Sequence, residues 1–198
     1  IGTMNCVQQA WMKTMEKKNI DWGNLGFDYI PTEHRFVSNY RDGAWDEGSL
    51  TSDANIVLNE CAGVLQYAQT VFEGLKAYRT PEGKVQLFRP MENALRFNSS
   101  CERMCVPAID PDFFVDAVKA LVKVDQAWVP NKKGASLYIR PFVFATDPSL
   151  GVHASHSYLF VIILCPVGSY YAEGINPVKI YVEDADVRAV RGGTGYTK

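Results

Sequence analysis

An α+β domain is the fold that this sequence predicts, and three observations predict it. Short strand-like segments are joined by hairpin turn chemistry, as at Asp42-Gly43. Two amphipathic stretches opened by proline read as helices. The most apolar run, Tyr158–Cys165, is eight residues long, which suits a buried strand and is far short of the roughly twenty residues of a membrane helix. Hairpins mixed with helices over about the first 170 residues give the α+β class.

Taken in order, residues 4–18 predict a short helix, with Trp11, Met12 and Met15 at one-turn spacing and lysines at its end, where cations suit the helix dipole. Residues 34–46 predict a hairpin about Asp42-Gly43, and Ala54–Glu60 a further strand. Residues 72–88 predict a second hairpin, Phe72–Tyr78 and Val85–Phe88 about Thr80-Pro-Glu-Gly83. Pro90 opens a helix to about Met104, since proline is tolerated at the first helical position. Asp110-Pro111 opens another, in which Phe114, Ala117, Val118, Leu121 and Val122 form one apolar stripe. Two strands follow, Ser136–Thr146 and Ser157–Pro166. The domain division predicted is a small N-terminal domain over 1–168, a Gly, Tyr and Pro linker over 169–177, and from 178 to 198 the first strand (Val178–Val182) and loop of a second domain.

Composition narrows the function classes. With 47% hydrophobic and 21% charged residues, the 198-residue chain is neither disordered, collagen-like nor coiled coil, and it is large enough to need no disulfide or metal staple. A net charge of −2 argues against a nucleic-acid partner. Five cysteines without a CxxC pair argue against a disulfide framework or zinc site and for a reducing compartment. Cys101 and Cys105, one helical turn apart, are expected as packing thiols on one face. The opening Ile-Gly-Thr-Met has no charged n-region, and the 4–18 segment lacks the arginine of a mitochondrial presequence, so a cytoplasmic location without membrane attachment is expected.

Several residues could carry chemistry. Gly192-Gly-Thr-Gly195 permits close backbone approach, as a phosphate cradle or simply as a tight turn; neither a P-loop nor GxGxxG is matched. Lys198 follows, an ordinary lysine or, with a lowered pKa, a nucleophile toward carbonyls. Tyr138 and Arg140 share one face of a strand, where an arginine among Leu137, Ile139 and Phe142 is either salt-bridged or placed to bind a carboxylate. Arg89 and Arg96 flank and enter the Pro90 helix, as surface residues or phosphate ligands. Tyr67, Phe72, Tyr170 and Tyr171 are core or pocket aromatics.

Together these segments resemble one family. Leu65-Gln-Tyr-Ala-Gln69, Val71-Phe-Glu-Gly-Leu-Lys-Ala-Tyr78, Leu87-Phe-Arg-Pro90, Leu137-Tyr-Ile-Arg-Pro-Phe142, Asp147-Pro-Ser-Leu-Gly-Val152, Cys165-Pro-Val-Gly-Ser-Tyr170 and Val187–Lys198 occur in the order and at the spacing of the branched-chain amino-acid aminotransferases, the pyridoxal-phosphate enzymes of fold type IV. The resemblance runs from about Asn24 to Lys198. It implies that Lys198, closing GGTGxxK, is the catalytic lysine and forms the Schiff base with pyridoxal 5'-phosphate, and that Arg96 contacts the cofactor phosphate. It implies a substrate pocket of Tyr67, Phe72, Tyr138, Arg140 and Tyr170, with Tyr29 more loosely matched to an N-terminal wall. Leu150 and Val152 match a loop that reaches the neighbouring subunit's pocket, which implies a homodimer.

The implied reaction is transamination of leucine, isoleucine and valine with glutamate or 2-oxoglutarate. Apolar walls suit the branched side chain, while Arg140 and Tyr138 suit the second carboxylate of glutamate. Other fold-type IV activities (D-amino-acid aminotransferase, aminodeoxychorismate lyase) and a non-catalytic binding or dimerisation module stand as alternatives. Family chains continue past this lysine to the residues that hold the pyridine ring, so the sequence is expected to be the front half of a longer protein.

Overall fold

The structure, a computed structural model, describes residues 20–170 and 176–198. The helix expected over 4–18 and Tyr171 lie outside the described residues. Eight antiparallel strands, β1 (Arg35–Arg41), β2 (Ala44–Trp45), β3 (Ser49–Thr51), β4 (Thr70–Phe72), β5 (Leu75–Arg79), β6 (Val85–Leu87), β7 (Ser136–Ala145) and β8 (Tyr158–Val167), form a curled sheet in the order β2-β1-β8-β7-β5-β6, with β3 beside β1 and β4 beside β7. The α+β class is as the sequence predicts.

Strands β1 (Arg35–Arg41) and β2 (Ala44–Trp45) form the first hairpin, Tyr40 opposite Trp45. Asp42 and Gly43 sit at φ 52° and 84°, the positive-φ pair that a two-residue hairpin turn needs. The strand expected over Ala54–Glu60 does not form: β3 is Ser49–Thr51, and residues 52–59 run as coil. Asp46 turns the chain early, its Oδ1 accepting from the N–H groups of Asn39 and Gly48 at 3.0 Å each. Residues 49–51 therefore take the available length of β1, from Val37 opposite Ser49 to Arg35 opposite Thr51. Ile56 and Val57 are left exposed, with no strand pairing among the described residues.

A short helix that the sequence did not signal, α1 (Gly63–Tyr67), precedes β4 (Thr70–Phe72). Strand β5 (Leu75–Arg79) then pairs with β6 (Val85–Leu87) about the expected turn, closed by Gly83 N–H donating to the Thr80 carbonyl at 2.9 Å. The first arm of that hairpin is broken at Glu73-Gly74, and the cause lies opposite. Glu73 N–H donates to the carbonyl of Pro141 at 2.8 Å, so the backbone polar groups of Pro141 face this gap. Proline has no N–H to return a bond, and the ladder is interrupted there.

Helices α2 (Pro90–Arg103) and α3 (Pro111–Val124) begin where proline and Asp110 place them. The Asp110 carboxylate accepts from the N–H groups of Asp112 and Phe113, both at 2.9 Å. Asp110→Ala is expected to cost about 1 kcal/mol through the lost cap, read as a lower urea midpoint at unchanged m-value. All five residues of the expected stripe are buried. The Phe97, Phe114 and Phe160 rings meet at 5.4 to 5.8 Å between centroids and join the helices to the sheet. Cys101 lies inside this cluster, where burial pushes its thiol up to about 12. Cys105 does not share its face: it follows the helix end at φ 55° and is exposed.

Central strands β7 (Ser136–Ala145) and β8 (Tyr158–Val167) pair along their whole length. In β7, Leu137, Ile139 and Val143 are buried in the core cluster, while Tyr138 and Arg140, on the alternate positions, face the other way. Residues 178–182, expected as a strand, pair with nothing among the described residues, and Ile180, Tyr181 and Val182 are exposed. Extended apolar sequence alone does not make a strand without a neighbour to satisfy its backbone.

Candidate active site

The broken strand β4–β5 and the outward face of β7 converge on Lys198. Its backbone fixes it at both ends: Lys198 N–H donates to Ser100 Oγ of α2, and its carbonyl accepts from Phe72 N–H of β4, each at 3.1 Å. Nζ lies 5.6 Å from the centre of the Phe72 ring, and the Arg140 guanidinium carbon lies 4.4 Å from the same ring. Two cationic side chains thus contact one aromatic ring, each contact favoured by the ring quadrupole. Arg140 also donates through Nε and Nη2 to the Tyr138 hydroxyl, at 3.1 and 2.8 Å. Gly74 is needed here, since a Cβ at that position would lie 2.5 Å from the Tyr138 oxygen.

Directly beneath lies a residue that sequence reasoning passed over. Glu73 is fully buried, and Arg96 grips it as a fork, Nε to Oε1 at 2.5 Å and Nη2 to Oε2 at 2.9 Å. Asn93 Nδ2 and Gly74 N–H also donate to Oε2, at 2.9 and 3.0 Å. Burial pushes the Glu73 carboxyl up, but the hydrogen bonds from Arg96, Asn93 and Gly74, with the charge of Lys198, outweigh it and hold the group below the ordinary carboxylate range. Its bond to Glu73 in turn raises Arg96, against a smaller opposing effect of burial. The signal in the sequence was a carboxylate set in the apolar run Val71-Phe-Glu-Gly-Leu75. Arg96 keeps 55% of its side chain exposed, so it can still meet an anion. Arg89, by contrast, forms an exposed ion pair with Glu92.

The glycine loop before Lys198 is held by another residue the sequence did not single out. Arg103, at the end of α2, donates through Nη2 to the carbonyls of Gly192 and Gly193 at 3.0 and 3.3 Å. Gly192 takes φ 81°, a conformation that glycine adopts freely.

The remaining expected pocket residues divide into two groups. Tyr170 joins the Lys198 side through Phe27, whose ring meets Tyr138 and Tyr170 edge-on at 5.5 and 5.1 Å. Phe27 was not anticipated; Tyr29, two residues on, is exposed. Tyr67 instead reaches the loop after β7, its hydroxyl donating to the Leu150 carbonyl. Leu150 and Val152 themselves are 73% and 86% exposed.

A lysine amine, a forked arginine with free surface and an aromatic platform are the donor set that a phosphorylated aldehyde needs, and the residues present fit pyridoxal phosphate. No family model matches the sequence. Over 184 residues the chain is 50% identical to branched-chain-amino-acid transaminase 1 of Bacillus subtilis, covering 92% of this chain and 52% of that protein. Among solved structures it is similar to a branched-chain amino acid aminotransferase of Escherichia coli, with TM-score 0.57 and 23% identity over 72% of this chain and 42% of that one. It is also similar to a branched-chain amino acid aminotransferase complexed with N-(5'-phosphopyridoxyl)-L-glutamate, with TM-score 0.54 and 21% identity over 69% of this chain and 41% of that one. The fold is thus that of the fold-type IV aminotransferases. Within that class, the curated relatives that the chain matches over more than nine-tenths of its own length are branched-chain-amino-acid aminotransferases. It spans about half the length of the curated relatives it matches.

Proposed function

We propose that the protein carrying this chain transfers the amino group of leucine, isoleucine and valine to 2-oxoglutarate, with pyridoxal 5'-phosphate held on Lys198. The observation that carries this reading is the gathering of Lys198, Phe72, Tyr138 and Arg140 from separate stretches onto one face of the sheet. When bound, the cofactor supplies the electron sink that makes an α-proton removable. The chain supplies the rest. Lys198 would hold the cofactor aldehyde and carry the proton to and from the substrate α-carbon at Nζ. Arg96, braced by Glu73, would meet the phosphate. Phe72, Tyr67 and Tyr170 offer apolar walls, and Arg140 with Tyr138 offers a carboxylate site.

Reduction with borohydride in the presence of pyridoxal phosphate tests this directly. The expected result is one cofactor mass added to the Lys198 peptide. An adduct on another lysine, or none, overturns the assignment of Lys198, and faster turnover of D-alanine than of leucine overturns the substrate class.

Arg140→Ala is expected to lower kcat/KM for glutamate tenfold or more beyond its effect on leucine, since charge-assisted bonds contribute about 1.5–3 kcal/mol. Equal losses on both substrates contradict the carboxylate role. We further propose a homodimer, supported by the exposed Leu150–Val152 loop, and a division into domains about residues 169–177. The described cysteines Cys61, Cys101, Cys105 and Cys165 are all free thiols, which supports a reducing compartment such as the cytoplasm.

A further inference from the structure

The loop between β7 and β8 carries a cluster that the proposed transamination does not use. Asp147, His153 and His156 bring one ligand atom each to within 4.8 Å of one another. The two imidazoles lie nearly parallel, 5.4 Å between centroids at 25°. We propose that these three side chains form a binding site for a divalent transition metal of the zinc type, which would clip together the two ends of the loop.

The hydrogen bonds around the cluster prepare it for a cation. His153 Nδ1 lies 2.8 Å from the Ala154 carbonyl, which can only accept, so the ring proton sits on Nδ1 and the lone pair on Nε2. A backbone carbonyl that fixes the tautomer in this way is the usual support of a metal-ligating histidine. Ser149 Oγ lies 2.9 Å from that Nε2 and donates to its lone pair, but its proton has a second acceptor in the Gly151 carbonyl at 3.3 Å. The lone pair can therefore be released to an ion. Asp147 Oδ2 accepts from His156 N–H at 3.2 Å, which orients the carboxylate. The His156 ring makes no hydrogen bond among the described residues, so its coordination displaces no partner.

Ligand chemistry selects the ion. Two imidazoles and one carboxylate suit zinc, nickel or copper and not magnesium, which demands oxygen donors. Three protein ligands leave a fourth position for water, and tetrahedral binding brings ligand atoms to about 3.3 Å apart. A closure of up to about 1.5 Å within a surface loop achieves this. The adjoining cleft, lined by Asp147, Ser149, His153 and Ser155 and about 170 Å³ in volume, gives the ion an open path.

The test is calorimetric titration of the tag-free full protein with zinc chloride, paired with hydrogen exchange. The expected result is one zinc per chain, a loss of affinity of tenfold or more in His156→Ala and in His153→Ala, and no heat with magnesium. Amides of residues 148–155 should exchange more slowly with zinc in the wild type and not in either variant. Both histidines are exposed, and His156→Gln provides a second variant should alanine disturb the loop. Absence of stoichiometric binding overturns the proposal, as does binding of equal strength in the variants. Neither outcome bears on Lys198, so the site stands or falls apart from the proposed transamination.

Discussion

Replacing Lys198 by alanine in the holoenzyme is expected to lower kcat by about 10⁴-fold, the upper end of what a positioned acid–base group contributes. The same variant should give no borohydride-stable cofactor adduct. The fold should survive, because the structural contacts of Lys198 run through its backbone: the N–H to Ser100 and the carbonyl from Phe72 are both available to alanine. Unchanged circular dichroism with lost turnover therefore separates chemistry from folding. Lys198→Arg should not rescue, since a guanidinium does not release its proton in a protein. A variant retaining activity within tenfold of wild type contradicts the assignment of Lys198.

Arg96→Met is expected to cost about 3 kcal/mol of folding stability, measured by urea unfolding. Removing one partner of a buried pair leaves an uncompensated charge, at about 3–5 kcal/mol. The lower end applies because Arg96 is half exposed and Glu73 keeps its bonds from Asn93 and Gly74. The pH dependence carries the sign. In the wild type the folded Glu73 carboxyl lies below its ordinary value of 4.5, so its contribution is complete above that value and is lost as pH falls through the folded one. In the variant the bonds from Arg96 are gone and burial, which favours the neutral acid, weighs more heavily. The deficit of Arg96→Met relative to wild type should therefore narrow as pH falls toward 4. A deficit independent of pH would show that the pair contributes through packing alone.

The elements legible in the sequence are those that local chemistry decides. The hairpin at Asp42-Gly43 follows from residues that tolerate positive φ. Both long helices start at a proline, the second with an aspartate cap, and the α3 stripe is buried as its spacing requires. The spacing of Tyr138 and Arg140 puts them on one strand face, but that Phe72 and Lys198 join them was legible only through the order of family motifs, because nothing in the spacing brings those distant segments together.

Tertiary structure decided the rest. Residues 54–60 and 178–182 have strand-like composition, yet a strand exists only where a neighbour offers its backbone, and none is in place among the described residues. The break at Glu73-Gly74 is set by Pro141, far along the chain, through the N–H that proline lacks. Glu73, at the alternate position between the buried Val71 and Leu75, meets Arg96 from the distant helix α2, and Lys198 lies against Phe72. Hairpin turns, helix starts and apolar stripes are local, so the sequence by itself determined them. Strand partners and buried ion pairs depend on which distant segments meet, and only the folded chain decided those.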